Sequence, residues 1–575
     1  MRKLFRYLKP YKWQAIIVVV LTAIQSVSQL YLPNLMADIV DKGVVGRDMA
    51  LIIQTGLIML GFTLIVSVCT VVGRLFASKT SVGFARDLRR DIFKTVEGYS
   101  NAEFDKVGTA SLITRSTNDV TQIQNVMIMI LSMLISAPIM AVGGVIMALQ
   151  QDVELTWIIG ASIGTMLLFI GLIAIKALPL FKSLQKKIDK VGLVMREGLT
   201  GMRVIRAFNK TKHEAARFDD ANKDLTNTSV SAYRWMGAMM PVILLALNLA
   251  TIAVIWFGGL RVQAGQMQVG DLMAFQQYVM QVMFALLMAT MLFVMLPRAT
   301  ASAERINEIL DMTPTIADNT DVAPKTTLTG TVEFQNVSFR YRGASEAAIC
   351  DISLTARPGE TTAIIGGTGS GKSTLVGLIP RFFDATKGRV LINGVDVKDY
   401  PQLALREKIG YVPQKINLMS GTIAENVRYG KSDASDEEVL EAIETAQATE
   451  FVSELTEGIE AEVAQGGTNY SGGQKQRLSI ARALVRKPQI YIFDDSFSAL
   501  DFKTDAQLRA ALAGSTSEST IFIVAQRVST VMNADNIIVL DDGRIVGHGK
   551  HKDLMQSCKT YQEIVASQLS MEELA

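Results

Sequence analysis

The deciding stretch of this 575-residue chain reads Gly366-Gly367-Thr368-Gly369-Ser370-Gly371-Lys372-Ser373-Thr374. Its spacing, with four residues between the first glycine and a Gly-Lys-Ser end, is that of a phosphate-binding loop. An apolar run at 361–365 precedes it and a helical run at 374–379 follows it, which is the strand–loop–helix context that this motif requires. The stretch therefore predicts an ATP site on an α/β domain.

The residue types of this loop explain the prediction. Glycines let the backbone wrap around phosphates with its N–H groups inward, and the following helix N-terminus adds partial positive charge. Lys372 is expected to reach the β- and γ-phosphates, and Ser373 to ligate Mg²⁺. Asp494 ends the apolar run 490–493, where a carboxylate can hold Mg²⁺ through water. Without the loop, an ordinary turn after a strand would explain Asp494 equally well.

Upstream of this domain, six apolar stretches have the length to cross a bilayer. Hydrophobic residues make up 49 % of the chain and charged residues 19 %, which is too apolar for a soluble protein of this size. A single such stretch could be a buried core helix, but six predict a membrane domain. They lie at 13–36, 51–72, 126–149, 155–175, 236–260 and 272–296.

The distribution of Lys and Arg predicts the orientation of these spans. The three short connections contain 3 Lys or Arg residues in total. The N-terminus and the loops 73–125 and 176–235 contain 5, 8 and 13, respectively. The positive-inside rule therefore places the N-terminus and both long loops in the cytoplasm of a multi-pass cell-membrane protein. Six spans return the chain to that side, so the ATP-binding domain is expected there too. Residues 1–12, which are basic with scattered apolar residues, predict a membrane-surface helix.

The two long loops are predicted to be helical. Each shows helical apolar spacing with charged faces and a break near its middle, at Gly108 in one and at Gly198 and Gly201 in the other. This pattern predicts membrane helices that extend into the cytoplasm and turn at a tip. A solvated charged hairpin is the alternative.

The composition changes after the last span. Residues 311–330 are rich in Thr, Asp and Pro and read as a linker between a membrane domain at 1–310 and a nucleotide-binding domain at 331–575. Within the latter, short β-branched runs alternate with helical patterns, which indicates an α/β fold. The predicted strands are 331–334, 361–365, 390–392, 409–412, 489–493, 521–524 and 536–540.

A second glycine-rich helix start lies at Tyr470-Ser471-Gly472-Gly473-Gln474, before a helical run at 475–485. It is a second candidate anion site, although one nucleotide site per chain does not need two. A dimer would explain it, because the helix start of one chain would cap the ATP that the other chain holds.

Taken in this order and spacing, the motifs resemble those of an ATP-binding-cassette exporter half-transporter, over essentially the full chain. The resemblance implies a six-helix all-α transmembrane domain of the type I exporters, followed by an α/β P-loop ATPase domain. The phosphate loop resembles Walker A, the run ending at Asp494 resembles Walker B, and Ser471, Gly472, Gly473 and Gln474 resemble the signature, with Tyr470 where Leu is usual.

The resemblance implies roles for further residues. Tyr341 matches the aromatic that stacks on adenine, Asp501 lies in the D-loop, and Gln414 matches the Q-loop glutamine that contacts Mg²⁺ and senses the membrane domain. Segments 104–119 and 199–208 resemble those that carry the two coupling helices, the second of which docks on the partner's nucleotide domain.

Two residues depart from the family pattern. Asp495 stands where the family has Glu as general base or water-positioning group, and Gln526 stands where it has the switch histidine. Aspartate is one methylene shorter, and a misplacement near 1 Å can cost about 10²-fold in rate. Gln526 can hydrogen-bond a γ-phosphate but cannot carry a proton. Neutral drift is the alternative, yet both changes spare the binding groups.

These departures resemble the degenerate-site chain of heterodimeric bacterial multidrug exporters. The loop before the signature reads Glu462-Val463-Ala464-Gln465-Gly466-Gly467, where the usual pattern ends in Glu-Arg-Gly, while the signature itself is intact. The hypothesis is that this chain pairs with a second half-transporter. It would supply Walker A, Walker B and Gln526 to a weak site, and its signature to the partner's competent site.

The spans favour an uncharged cargo. No Asp, Glu, Lys or Arg lies within the six apolar stretches, which argues against an intramembrane ion site. Methionine is abundant, with 27 residues, and suits a permissive apolar cavity, although lipid-facing or packing positions explain it equally well. With the resemblance, a hydrophobic or amphipathic drug-like substrate is expected. A lipid or lipopeptide exporter and a regulatory ATP-binding subunit are the alternatives, while the spans exclude a soluble ATPase acting on nucleic acid.

Overall fold

A computed structural model describes residues 2–318 and 328–568. The chain forms two compact units, the first from Met1–Glu97 and Ala110–Met312, and the second from Gly98–Thr109 and Thr313–Ala575. The predicted linker at 311–330 lies partly outside the described residues.

Within the described ranges, six helices of the first unit are long and apolar enough to cross a membrane. Each of the six predicted stretches falls on one of these helices, although the fourth helix begins at Trp157, two residues after the start of the predicted stretch 155–175. The predicted all-α membrane domain is therefore confirmed. Their lengths of 27 to 53 residues exceed the roughly 20 that a bilayer requires, so the longest project well beyond it. The helices up to the end of this unit, including three short ones, are α1 Lys12–Asp38, α2 Met49–Glu97, α3 Asn101–Val107, α4 Thr109–Thr114, α5 Val120–Gln151, α6 Trp157–Thr200, α7 Met202–Ala207, α8 Thr211–Gln263 and α9 Val269–Asp311.

Close helix packing holds the first unit together. Helix α5 packs along α9, α1 along α2, and α6 along α8. Gly144 permits the approach of α5 to α9, because a Cβ there would lie 2.7 Å from Val282 Cγ2. A 3₁₀ segment at Arg2–Tyr11, in the place of the predicted surface helix, buries Leu4 and Tyr7.

A buried carboxylate ties α5 to the end of α9. Asp119 closes a π-helical turn, Arg115–Asp119, and is only 3 % exposed. Its Oδ2 accepts a hydrogen bond from Arg305 Nε at 2.8 Å, and its Oδ1 accepts one from Ser302 Oγ at 3.0 Å. The charge is therefore both paired and hydrogen-bonded, as a buried ion requires.

Two sheets form the second unit, together with a short two-stranded ribbon. The antiparallel sheet has the order β2-β1-β4-β5, the larger sheet β12-β11-β3-β10-β9-β6, and the ribbon joins β7 and β8. The strands are β1 Val332–Phe339, β2 Ile349–Ala356, β3 Thr361–Gly366, β4 Lys387–Ile392, β5 Val395–Asp396, β6 Ile409–Val412, β7 Gly421–Thr422, β8 Glu462–Val463, β9 Ile490–Asp494, β10 Thr520–Val524, β11 Asn536–Asp541 and β12 Arg544–Gly549.

The larger sheet positions the site residues. Strands β11, β3, β10, β9 and β6 are all parallel, so their carboxyl ends meet at one edge. The helices of this unit are α10 Lys372–Gly377, α11 Gln402–Glu407, α12 Ile423–Arg428, α13 Asp436–Thr445, α14 Thr449–Ser453, α15 Gly472–Leu484, α16 Phe502–Ser515, α17 Val528–Val531, α18 His551–Ser557 and α19 Lys559–Ala566.

The predicted α/β fold is confirmed, with corrections to individual elements. All seven predicted strands exist, but the structure adds five that were not predicted, namely β2, β5, β7, β8 and β12. Strand β2 alternates buried and exposed residues at an edge, so it lacks the short apolar run on which the prediction relied. Two helices start earlier than predicted, at Lys372 and Gly472, because their polar first turns carry no apolar periodicity.

Removing the buried carboxylate should destabilise the first unit. Asp119→Ala leaves Arg305 and Ser302 without their acceptor, which costs roughly 2 kcal/mol and lowers Tm by about 5 °C. The measurement is a thermal unfolding curve of the purified protein in detergent. Asp219→Ala, which removes an exposed ion pair with Lys223, is the control and should shift Tm by less than about 1 °C. Equal shifts in the two variants would contradict the stabilising role of Asp119.

Candidate functional site

The phosphate loop (residues 366–374) leaves the end of β3 and enters α10. Gly369 and Gly371 have φ of 87° and 96°, in the left-handed region that favours glycine. A Cβ at Gly371 would also lie 2.6 Å from the carbonyl oxygen of Ala348. The loop is therefore a backbone cradle that side chains would obstruct.

Lys372 lies folded over this cradle. Its Nζ donates hydrogen bonds to the carbonyl oxygens of Gly366 at 2.9 Å and Gly367 at 2.7 Å. Burial lowers the pKa of this ammonium, while Asp495 and Asp494 oppose that shift. Ser370 Oγ is buried and makes no hydrogen bond within the described part of the chain. A buried cation and a hydroxyl without a hydrogen-bond partner fit a loop that holds an anion.

Asp494 ends β9 and faces the loop as the sequence predicted. Its Oδ1 accepts a hydrogen bond from Ser373 Oγ at 2.8 Å, and its Oδ2 accepts one from Tyr411 Oη at 3.3 Å. Burial raises the pKa of this carboxyl, and the two hydroxyl donors work against the rise. A desolvated carboxylate beside a hydroxyl offers two oxygen ligands, which suits Mg²⁺ because that ion keeps several waters. In the described ranges, no group of three or more His, Cys, Asp or Glu residues could hold a metal by itself.

Asp495 is the meeting point of three strand ends. It follows β9 with a φ of 49°, and its Oδ2 accepts from Gln414 Nε2 at 3.3 Å and from Gln526 Nε2 at 3.1 Å. The structure thus brings together the three residues that were predicted to be catalytic. Burial raises the pKa of the Asp495 carboxyl, against the hydrogen bond from Gln414. Both amide donors are neutral and neither can exchange a proton with the carboxylate.

Tyr341 lies beside the start of α10. Its hydroxyl is 2.9 Å from Thr374 Oγ1, and its ring meets Phe339 and Phe383 edge-on. With 41 % of the residue exposed, Tyr341 has free surface that a stacking partner could cover.

The signature segment (Ser471, Gly472, Gly473 and Gln474) forms the start of α15. Ser471 caps that helix, and its hydrogen bonds go to Gln474 in a capping box. Gly473 lies against the loop that follows β9, because a Cβ there would lie 3.3 Å from the Ala499 carbonyl oxygen. Gln476 of the same helix accepts a hydrogen bond from the Ala499 amide at 3.2 Å.

Asp501 caps α16 directly after this loop. Its Oδ1 accepts from the Thr504 amide at 3.0 Å and its Oδ2 from the Thr504 hydroxyl at 2.7 Å, which lowers its pKa. The signature segment and Asp501 thus adjoin one loop, residues 498–501. The side chains of Ser471, Gln474 and Asp501 form hydrogen bonds within their own helices rather than with the phosphate loop.

Arg527 was not among the predicted site residues. Its guanidinium donates to the carbonyl oxygens of Ser498 at 2.9 Å and Leu500 at 3.3 Å and lies over the Phe502 ring. It joins the segment that carries Gln526 to loop 498–501. The only sequence signal was its position next to Gln526.

Comparisons with known proteins agree with this architecture. The chain matches the family model described as ABC transporter transmembrane region over residues 15–286 and the one described as ABC transporter over residues 349–498. It is 45 % identical to an uncharacterised ABC transporter ATP-binding protein of Mycobacterium tuberculosis, over 98 % of this chain and 97 % of that protein.

Two further relatives have functional names. A putative multidrug export ATP-binding/permease protein of Bacillus subtilis is 33 % identical over 99 % of both chains. An ATP-dependent lipid A-core flippase of Chromobacterium violaceum is 30 % identical over 99 % of this chain and 97 % of that one. The structure of a bacterial Atm1-family ABC exporter with ATP bound superposes with a TM-score of 0.77 at 26 % identity, covering 98 % of this chain and 99 % of the other.

Replacing the loop cation should weaken nucleotide binding. Lys372→Ala removes the only side-chain cation of the phosphate loop, so the Kd for Mg-ATP should rise at least about tenfold. Equilibrium binding of a fluorescent ATP analogue measures this. Lys487→Ala removes an exposed lysine paired with Glu441 before the opposite end of β9, and should leave Kd unchanged. Unchanged affinity in Lys372→Ala would contradict the proposed site.

The carboxylate of Asp494 should destabilise the protein when no nucleotide is present. Its raised pKa means that the charged form is less favourable in the folded than in the unfolded chain, so stability falls as pH rises above the usual aspartate range. Asp494→Asn should therefore raise Tm at pH 7.5 without nucleotide, with a gain that shrinks toward pH 4.

Thermal unfolding with and without Mg-ATP tests this trade-off. Asp494→Asn should lose most of the stabilisation that Mg-ATP gives the unchanged protein. Asp433→Asn, at an exposed position of the same unit, is the control and should change neither quantity. A lower Tm of Asp494→Asn without nucleotide would contradict the argument.

Proposed function

Because the chain belongs to the ABC transporter family and has the two domains of an exporter, we propose that it is one half of a heterodimeric pump. Its cargo would be hydrophobic or amphipathic compounds, moved out of the cell. The observation that carries the proposal is the contact of Asp495 with two neutral amides, Gln414 and Gln526, at the hydrolytic end of the site. ABC exporters work as dimers, so a site weakened in one chain can be offset by the other.

The binding end of the site is complete. The amides of the phosphate loop and Lys372 would hold the phosphates of ATP, and Tyr341 would stack on the adenine. Ser373 Oγ and Asp494 Oδ1 lie 2.8 Å apart. These two residues would hold Mg²⁺ together with Gln414. The metal supplies neutralisation of the phosphate charge. Each of these residues fits a chain that binds ATP.

The hydrolytic end is weak by comparison. A water-positioning carboxylate needs reach and a free lone pair toward the γ-phosphate. Asp495 is one methylene shorter than Glu, and one of its oxygens already accepts two hydrogen bonds. Gln526 can donate a hydrogen bond but cannot hold a proton or a positive charge. Slow hydrolysis follows from both properties.

The signature segment would serve a second chain. Its helix start presents backbone N–H groups and small residues, a suitable surface for phosphate. Ser471 and Gln474 bond each other and leave the phosphate loop of their own chain untouched. A partner half-transporter with a competent catalytic residue would therefore place its ATP beneath Ser471–Gln474 of this chain.

The charge distribution and the short helices support the proposed topology. The positive-inside rule places the N-terminus and the ATP-binding domain in the cytoplasm. Residues Gly98–Thr109, which include α3, belong to the second unit, where Thr315 Oγ1 donates to the buried Glu103 at 3.0 Å. This fits a first coupling helix. Helix α7 has no buried residue in the described structure, which fits a second one that docks on the partner.

A lipid exporter is the second candidate, favoured by the relative named a lipid A-core flippase. The uncharged spans with their amide and methionine side chains suit either cargo. Dye efflux from cells, set against flipping of labelled lipids in proteoliposomes, separates the two. A purely regulatory role would be supported instead if the pair turned over but never transported either cargo.

The ATPase activity of the chain alone tests the proposal. Without its partner, the reconstituted chain should hydrolyse ATP at least about 10²-fold more slowly than the assembled pair. The partner is the chain that co-purifies from the native host. Asp495→Glu with Gln526→His should raise the rate of the chain alone at least about tenfold, since both restore the hydrolytic end.

Asp433→Glu is the matched control, because it lengthens an exposed carboxylate of the same unit and should change no rate. Brisk ATPase activity of the unchanged chain as a homodimer would overturn the heterodimer proposal.

A further inference from the structure

One side chain from the end of the described chain bonds the segment that carries Gln526. Gln568 follows α19, and its Nε2 donates to the carbonyl oxygen of Gln526 at 2.8 Å. Its Oε1 accepts from the Val528 amide, also at 2.8 Å. Both polar atoms of one amide are thus used on residues 526 and 528.

This contact is specific to an amide. A carbonyl needs a donor and an N–H needs an acceptor, and the amide of Asn or Gln presents both side by side on one rigid planar group at any pH. The Val528 amide is also the first of α17 and would otherwise lack a helical partner. Gln568 therefore caps α17 and holds the preceding residues at the same time.

The helix before Gln568 gives it a fixed base. Tyr561 and Val565 of α19 are fully buried, and the Tyr561 hydroxyl lies 2.7 Å from His551 Nδ1. Gln562 of the same helix donates to the Met555 carbonyl oxygen at 2.7 Å. The position of the Gln568 backbone is thus set by the core and not by its own side chain.

The segment that Gln568 holds contacts both sides of the hydrolytic end. On one side, Gln526 Nε2 donates to Asp495 Oδ2. On the other side, Arg527 donates to the carbonyl oxygens of Ser498 and Leu500, in the loop that precedes Asp501. A shift of this backbone would move both contacts together.

We infer that Gln568 is a positioning residue for ATP hydrolysis, which holds residues 526–528 so that Gln526 meets Asp495 and Arg527 meets loop 498–501. The inference rests on the ATPase function proposed above. Because Gln568 is exposed, each hydrogen bond adds little to fold stability. Its loss should therefore show in turnover and not in folding.

Three variants of the full-length chain test this role, each assayed without the partner so that the measured turnover comes from the site that contains Gln526 and Asp495 of this chain. Gln568→Ala should lower kcat about three- to tenfold with the KM for ATP within about twofold, since the phosphate loop and Tyr341 are untouched. Gln568→Glu has the same shape but turns an oxygen toward the Gln526 carbonyl, so it should lower kcat as well. Gln562→Ala removes an amide contact of the same helix that does not reach the segment, and should change neither constant.

Hydrogen exchange of the backbone amides measures the contact itself. The Val528 amide should lose protection at least about tenfold in Gln568→Ala and remain protected in Gln562→Ala. This readout depends on neither a partner nor the rate of hydrolysis, so it separates failure of the inference from failure of the proposed function. Unchanged exchange and kcat in Gln568→Ala, or full kcat in Gln568→Glu, would overturn the inference.

Discussion

The parallel register of β3, β10 and β9 is the constraint on which the site depends. Val524 of β10 lies level with Ile364 of β3 on one side and with Asp494 of β9 on the other. The lateral hydrogen bonds continue one residue past the strands, because the Asp495 amide donates to the Val524 carbonyl oxygen at 2.9 Å and the Ala525 amide to that of Ile364 at 3.2 Å. The phosphate loop, the acidic pair and Gln526 thus leave the sheet at one level. Their proximity is a property of backbone pairing, which side-chain changes at the edge leave intact.

The two kinds of buried charge in this chain differ in how they are balanced. Asp119 has a guanidinium and a hydroxyl as partners, so its charge is satisfied within the protein. Asp494 has only hydroxyl donors, and Lys372 is turned onto carbonyl oxygens, with burial acting against the charged form of each. Groups held this way gain most when a ligand of opposite charge arrives. The first arrangement suits a scaffold and the second suits a binding site.

The sequence allowed the prediction of those features that depend on neighbouring residues. It did not allow the prediction of features that depend on residues distant along the chain. The six membrane helices follow from local apolarity, and the phosphate loop from its spacing next to a β-branched strand. Strand β2 was not predicted because its alternation indicates a strand only once β1 is known to pair along its edge. The contact of Gln568 with Gln526 spans 42 positions, and nothing in either neighbourhood signals it. Pairings of this kind arise from the tertiary fold alone.

The two departures from the family pattern are linked in the structure. In the sequence, Asp495 and Gln526 stand 31 positions apart and look like two separate changes. In the fold they share one hydrogen bond of 3.1 Å, so a change in one alters the requirement on the other. They therefore count as one coupled change. Their number alone then says little against neutral drift. What remains is their location: the coupled pair lies at the hydrolytic end, while Lys372, Ser373 and Asp494 at the binding end keep the family residues. A chain under no constraint would have no reason to divide its changes in this way, so selection for retained ATP binding explains the pattern better than drift.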